Sequence, residues 1–149
     1  MLIGTGVLIL RDAKILLGLR TGKHGNGCWS APGGKVEIGE KVRDSAKRDV
    51  LEEVNLTVTD MEPLCVSYDL HDLGDEAIIT IGFVATQYSG EVVNNEPDKF
   101  AEWNWFDPHN LPSPIFKPTK SLLFAFWGSD SKELPHEELI IDPACMRGF

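Results

Sequence analysis

The sequence predicts an α/β fold, helices packed on a sheet, and three stretches carry that expectation. Residues 40–54 contain no Pro or Gly and place Val42, Ala46, Val50 and Val54 four apart, the repeat of an amphipathic helix with one apolar stripe. Residues 77–88 form a long β-branched run with apolar side chains on both faces, which marks a strand inside a sheet. Residues 120–127 read as a second helix whose Leu122, Leu123, Phe124, Phe126 and Trp127 are too apolar to stay exposed, so it must cover the sheet or meet a second subunit.

At 149 residues the chain suits one domain with a single core, taken as 1–149. Its 42% hydrophobic and 25% charged content is that of a globular protein. A formal net charge of −9 excludes a general nucleic-acid surface, which needs clustered Lys and Arg to displace phosphate counterions. A small nucleotide remains compatible, provided bound cations offset the repulsion of its phosphates. Cys28, Cys65 and Cys145 are odd in number and widely spaced, which reads as reduced thiols rather than a disulfide framework. No run approaches the roughly 18 apolar residues of a membrane span. With no basic leader and cleavage site at the N-terminus either, the expectation is a cytoplasmic protein off the membrane.

The elements follow in order. Residues 2–10 and 15–20 read as a strand pair around the polar turn 11–14, with Gly4, Gly6 and Gly18 marking close backbone approach. Residues 21–27 are a Gly-rich loop whose order fails the P-loop spacing, and His24 within it reads as a solvent-exposed residue. Cys28, Trp29 and Ser30 lead to Pro32, which sets the chain direction, and to Gly33 and Gly34, which let it turn sharply. After the helix, residues 57–60 and 64–68 read as strand or strand-like connection, 71–76 as an acidic hairpin turn, and 77–88 as the longest and central strand. Residues 92–100 form a polar connection. A short strand at 102–106 follows, with Trp103 and Trp105 on one face as core packing. Pro108, Pro112, Pro114 and Pro118 define a segment without regular helix, and 129–149 reads as a tail with an apolar patch at Leu139, Ile140 and Ile141.

The helix face opposite the stripe carries the chemistry. Asp49, Glu52 and Glu53 fall within one turn, and only Arg48 relieves their mutual repulsion. Such a patch is either a solvated acidic face or a site for a hard divalent cation, whose remaining ligands are water and substrate phosphate.

The spacing of residues 34–56 resembles the Nudix box: Gly34, five residues, Glu40, seven residues, then Arg48, Asp49, Val50, Glu52, Glu53, Asn55 and Leu56. Asp49 stands where the family has Glu, one methylene longer, and Asn55 where it has Gly. Asn accepts the left-handed backbone of a helix end. The likeness extends to Arg20, Trp29, Pro32, the 102–106 strand, Leu111 and Pro112, and covers residues 2–127. It looks most like the small MutT-like nucleoside triphosphate diphosphatases.

The resemblance implies a Nudix-type α/β/α sandwich, a mixed sheet between the box helix and the C-terminal helix. It implies Mg²⁺, with Mn²⁺ as an alternative, held by the Gly33 carbonyl, Asp49, Glu52 and Glu53, with Glu96 ahead of Glu102 as a further ligand or base. Glu40 and Arg48 would tie loop to helix. Arg20 would reach a phosphate, Gly34 would adjoin the substrate, and Phe116 would stack on a nucleobase. The implied reaction is hydrolysis of a nucleoside triphosphate to monophosphate and pyrophosphate, with Asp49 or Glu53 leading as general base and Glu96 behind them. An ADP-ribose or other nucleoside diphosphate-X hydrolase is the alternative within the enzyme class; a nucleotide-binding module that has lost catalysis is the alternative outside it. The expected partner is the small-molecule nucleotide, with no nucleic-acid polymer and a homodimer through the C-terminal helix as an option.

Overall fold

The computed structural model describes residues 1–70 and 76–128. Most of the expected 71–76 turn and the whole of the 129–149 tail therefore lie outside the described residues. In chain order the elements are β1 (Leu2–Leu8), β2 (Leu10–Arg11), β3 (Lys14–Arg20), β4 (Trp29–Ser30), β5 (Gly33–Lys35), α1 (Val42–Val54), β6 (Thr57–Leu70), β7 (Ala77–Ser89), β8 (Phe100–Phe106) and α2 (Lys117–Trp127).

The main sheet has the order β5-β1-β7-β6. Strand β1 is parallel to β7 and antiparallel to β5, while β6 is antiparallel to β7, so the sheet is mixed. Alternation along each strand supplies two apolar faces. On one, Val7, Ile81 and Phe83 pack with Ala46, Val50 and Val54 of α1, the stripe the periodicity predicts. On the other, Leu8, Leu64 and Cys65 pack with Leu122 and Leu123 of α2. The result is the α/β/α sandwich, with β7 inside the sheet.

A second, antiparallel sheet is added to this frame. Its β3 pairs with β2, β4 and β8. Leu16 of β3 joins the α1 core while Ile15 and Leu17 join the α2 core, so the small sheet plugs one end of the sandwich. Trp103 and Trp105 pack against the α1 core, as expected of core residues. The glycines mark close approach: a Cβ on Gly18 would meet the Trp103 ring at 2.7 Å, and one on Gly6 would meet Leu122 at 2.9 Å.

Four expectations are corrected. Residues 2–8 do not pair with 15–20; β1 goes to the main sheet, and only Leu10 and Arg11 form the hairpin with β3. Strand β6 is continuous, and at 14 residues it exceeds the 13 of β7; its register shifts between Pro63 and Cys65, and this bulge admits a proline that a regular ladder would reject. Pro118 lies inside α2, in its first turn, where its missing N–H has no intrahelical partner to lose. Helix α1 begins at Val42 rather than 40. Of the two readings left open for the acidic face, full solvation does not hold, since Asp49 and Glu53 are each only 6% exposed.

Asn55 ends α1 at φ 65°, ψ 22°, its N–H donating to the Leu51 carbonyl at 3.1 Å. Ala at this position meets the left-handed steric penalty of about 1–2 kcal/mol. Asn55→Ala should therefore lower the thermal midpoint by roughly 3–8 °C, while Asn55→Gly should hold or raise it; equal midpoints for the two variants in a calorimetric scan would refute a backbone cause.

Candidate active site

Arg48 organises the acidic helix. Its Nε donates to Glu40 Oε1 at 2.7 Å and its Nη2 to Glu40 Oε2 at 3.0 Å, a two-pronged pair joining the 36–41 loop to α1. Nη2 also donates to the Lys35 carbonyl at 3.4 Å, and Nη1 reaches Asp49 Oδ1 at 3.0 Å and Glu52 Oε2 at 3.1 Å. The Arg48 hydrogen bond holds Glu40 down to about 2, and the same carboxylates push the guanidinium up. Glu40 and Arg48 thus take the orienting place expected of them.

Asp49 and Glu53, one helical turn apart, point inward. Asp49 also accepts a hydrogen bond from the Thr5 hydroxyl at 3.3 Å, and burial raises its carboxyl to about 6 against the pull of Arg48. Glu53 is raised well above the usual carboxylate range, by burial first and then by the charges of Asp49 and Glu96; Arg20 and the Gly33 backbone act the other way. Its Oε2 has no hydrogen-bond partner. Glu52 lies outside this pair, its side chain 54% exposed and held by Arg48.

Glu96 is brought to the same place by the polar 90–99 connection, which is pinned to the end of α1. The Val93 and Asn95 N–H groups donate to the carbonyls of Val54 and Glu53 at 3.0 and 3.1 Å, and Asn95 Nδ2 donates to the Leu51 carbonyl at 3.3 Å. Glu96 then pairs with Lys99 at 2.9 Å. Glu102, the second choice, is exposed on β8 and accepts a hydrogen bond from Asn104 at 3.2 Å.

Gly33 and Gly34 lie on β5 against β1, in register with Gly6 and Thr5. A Cβ on Gly33 would collide with the Thr5 carbonyl, and one on Gly34 would stand 2.9 Å from the Asp49 carboxylate, so no side chain separates this strand from the acidic pair. The other side of the strand opens into a cleft of about 190 Å³ lined by Gly33, Gly34, Thr5, Thr80, Arg20 and Phe116 among others. The carboxylates themselves do not line that cleft; they meet it at β5 and through Thr5.

Arg20 and Phe116 form one unit across the cleft. The Arg20 guanidinium lies 4.3 Å from the centre of the Phe116 ring, Nε donates to the His24 carbonyl at 2.8 Å, and Nη1 to Ser30 Oγ at 3.5 Å. Burial lowers its proton affinity and the charge of Glu53 raises it, which places this cation within electrostatic reach of the acidic pair. His24 lines the cleft rather than facing only solvent. Thr5, Lys99 and Asn95 are contributors that the sequence gives no sign of, because each depends on strand pairing or loop docking.

These residues suit a hard divalent cation. Two buried carboxylates share a face, one with an orphaned oxygen, and Arg48 is already committed to Glu40, Asp49 and Glu52. Among the described residues no three His, Cys, Asp or Glu side chains form a ready-made metal group. An ion of the Mg²⁺ type takes one or two carboxylates and fills its shell with water and phosphate.

The fold and this acidic helix define a hydrolase class, and comparison with known proteins fixes it. The NUDIX domain family matches residues 2–126, and the chain belongs to that family. The zebrafish (Danio rerio) oxidized purine nucleoside triphosphate hydrolase is 32% identical over 109 residues, 72% of this chain and 67% of that protein. An ADP-ribose pyrophosphatase of Methanocaldococcus jannaschii is 34% identical over 114 residues, 76% of this chain and 66% of that one. Among solved structures, a MutT NUDIX hydrolase from Burkholderia pseudomallei superposes with a TM-score of 0.79 at 33% identity, covering 82% of this chain and 95% of that one. The protein is a Nudix hydrolase with the expected sandwich.

The raised carboxyls make a prediction about stability. Because folded Glu53 holds its proton to higher pH than the unfolded group, whose ordinary value is 4.5, it favours folding least at high pH. The metal-free protein should lose stability as pH rises from that ordinary value through the raised folded one. Glu53→Gln should raise the metal-free thermal midpoint at pH 7.5, by roughly 1–3 kcal/mol in stability, and should flatten the pH dependence. Mg²⁺ should stabilise the parent far more than the variant. A variant that melts below the parent at pH 7.5 would contradict the burial argument.

Proposed function

We propose that this Nudix hydrolase cleaves a nucleoside triphosphate to the monophosphate and pyrophosphate with Mg²⁺, Mn²⁺ being the alternative ion. The observation that carries the reading is the buried Asp49–Glu53 pair behind the Gly33–Gly34 strand, with the Arg20–Phe116 wall across the cleft from it. Asp49, Glu52, Glu53, the Gly33 carbonyl and Glu96 are the groups that would hold the ion. When bound, it neutralises phosphate charge and makes water a better nucleophile.

The chain's own residues account for the rest. Arg48 fixes Glu40, Asp49 and Glu52 relative to one another, so the carboxylates keep their geometry when charge develops. Arg20 Nη2 has no hydrogen-bond partner among the described residues and is the donor left for a phosphate oxygen. Water attacks phosphorus, the anhydride P–O bond breaks, pyrophosphate departs and a carboxylate takes the water's proton. Asp49 and Glu53 suit that last role because burial has raised their proton affinity toward neutrality. Glu96, tied to Lys99, stands behind them.

The M. jannaschii relative favours a second reading, in which the substrate is ADP-ribose or another nucleoside diphosphate-X and the same anhydride is cut. A module without catalysis is the third. It is disfavoured by Arg48, Glu52 and Glu53 standing together on α1. The proposed protein works on free nucleotides in the cytoplasm rather than on polymers or membranes, and among the described residues no helix is long and apolar enough to cross one. A homodimer through the α2 side, where Phe126 is 38% exposed, belongs to the same reading.

Incubation of the parent with a panel of nucleotides, ADP-ribose and Mg²⁺, with the products separated by chromatography, should give monophosphate and pyrophosphate from a triphosphate. Faster turnover of ADP-ribose would install the second reading, and no turnover of any compound the third. Glu53→Gln should lower the Mg²⁺-dependent rate by roughly 100-fold or more with the fold intact. Asp49→Glu, which restores the family residue, should change kcat/KM several-fold; unaltered kinetics would remove Asp49 from the metal's immediate surroundings.

A further inference from the structure

Strand β1 carries a single hydroxyl among apolar residues and glycines. Thr5 is 6% exposed and pairs with Gly34 of β5 on one side and Ile81 of β7 on the other. Period-two alternation puts its side chain on the face of Val7, which packs on the stripe of α1. Val or Ile would suit a buried strand position there, whereas a buried hydroxyl costs free energy unless it meets a partner. The partner is Asp49 Oδ2, 3.3 Å away and 44 residues on in the chain. The hydrolytic reading gives this bond no task.

The two oxygens of Asp49 are held by different elements. Arg48 Nη1, on the same helix, donates to Oδ1 at 3.0 Å, and Thr5 donates to Oδ2 from the sheet. As a β-branched residue Thr5 is stiff at χ1, so it holds its hydroxyl in place at little cost in entropy. Strand β5 closes another side, since a Cβ on Gly34 would stand 2.9 Å from each Asp49 oxygen. Glu53, one turn on, gives the contrast: its Oε2 meets no hydrogen-bond donor. Asp49 is the carboxylate whose rotation is arrested, and Glu53 the one with an open oxygen.

The enclosure also matches the length of the side chain. A carboxylate that already lies against β5 and within reach of Thr5 leaves little room for a further methylene behind it. A longer side chain at this position must turn away from Gly34 and carry its oxygens past the Thr5 hydroxyl, which then loses its acceptor.

We propose that Thr5 is a positioning residue for the hydrolytic site: its hydroxyl fixes the orientation of the Asp49 carboxylate, and the pair works only with the short aspartate side chain. This rests on the reading of the protein as a Mg²⁺-dependent hydrolase given above. Thr5 acts through Asp49 and needs no contact with the substrate.

The test is a mutant cycle. Thr5→Val keeps the shape and removes the donor, and Thr5→Ser keeps the donor on a smaller side chain. Each is made alone and together with Asp49→Glu. Two quantities are measured: the dissociation constant for Mg²⁺, by calorimetric titration of the metal-free protein without nucleotide, and kcat and KM at saturating Mg²⁺ for the nucleotide that the parent turns over fastest. Thr5→Val should weaken Mg²⁺ binding and lower kcat, each by roughly tenfold, and leave KM within about threefold. Thr5→Ser should stay within about threefold of the parent in all three. On the Asp49→Glu background, Thr5→Val should alter neither Mg²⁺ binding nor kcat by more than about twofold. Unchanged Mg²⁺ binding and kcat in Thr5→Val, a loss confined to KM, the same loss with and without Asp49→Glu, or a loss that Thr5→Ser shares along with a lower melting point overturns the proposal and leaves the hydrolase reading standing. A parent that binds no Mg²⁺ and turns over no nucleotide overturns that reading itself.

Discussion

Two ionisable groups buried on one face of a helix, Asp49 and Glu53, set the terms for the rest of the site. Each is raised in proton affinity chiefly by desolvation, and the charge of Asp49 raises Glu53 further. A helix that only had to be stable would carry apolar residues there. What makes the pair tolerable is its surroundings: Arg48 beside Asp49, the Thr5 hydroxyl from β1, and Arg20 within electrostatic reach of Glu53. Those cations do not complete the balance. Were Glu40, Asp49, Glu52, Glu53 and Glu96 all ionised, they would exceed the charges of Arg48, Arg20 and Lys99 by two, the charge that the proposed divalent ion would supply. The stability lost on burying these carboxylates and the proposed capacity to hold an ion and accept a proton would have the same origin.

Arg48 holds the acidic face open. Its fork is filled by Glu40 on one side and by Asp49 and Glu52 on the other, which leaves Glu53 without this cation. Glu40 lies before the helix starts, so this pair also fixes the path of the 36–41 loop and, through the Lys35 carbonyl, the end of β5. Strand β5 in turn sets the gap between Asp49 and the cleft, where a single added Cβ at Gly34 would intrude.

How much of this the sequence discloses follows from how local each cause is. The stripe Val42–Ala46–Val50–Val54 and the acidic turn beside it are legible because they depend only on 3.6-residue periodicity, and the left-handed Asn55 because one residue's backbone preference decides it. The partners of β1 are not legible. Its apolar run suits a hairpin with residues 15–20 as well as it suits the parallel register with β7, and only the whole sheet decides between them. Thr5 reaches Asp49 as a consequence of that choice, which is why no local pattern marks it. Glu96 was named from family resemblance, and the physical reason for its position is the docking of Val93 and Asn95 on carbonyls at the end of α1, contacts about 40 residues apart in the chain. Pro118 sits where its missing N–H has no regular partner, in a first helical turn, and Pro63 is accommodated in the same way by a bulge.

The Arg20–Phe116 contact limits how a nucleotide can enter. One face of the ring is already covered by a guanidinium at 4.3 Å, a contact worth about 0.5–2 kcal/mol. A base that displaced Arg20 to stack there would gain about 1–3 kcal/mol and forfeit most of it. A base that approached Phe116 without displacing Arg20 would leave that guanidinium in place, anchored by the His24 carbonyl. The second arrangement keeps both interactions, and Phe116 lines the cleft from which such a base would approach. In the proposed triphosphate reading Phe116 would separate phosphate from base, with Arg20 serving the phosphate side, and the contact that seems to obstruct stacking would assign the two ends of the substrate to their places.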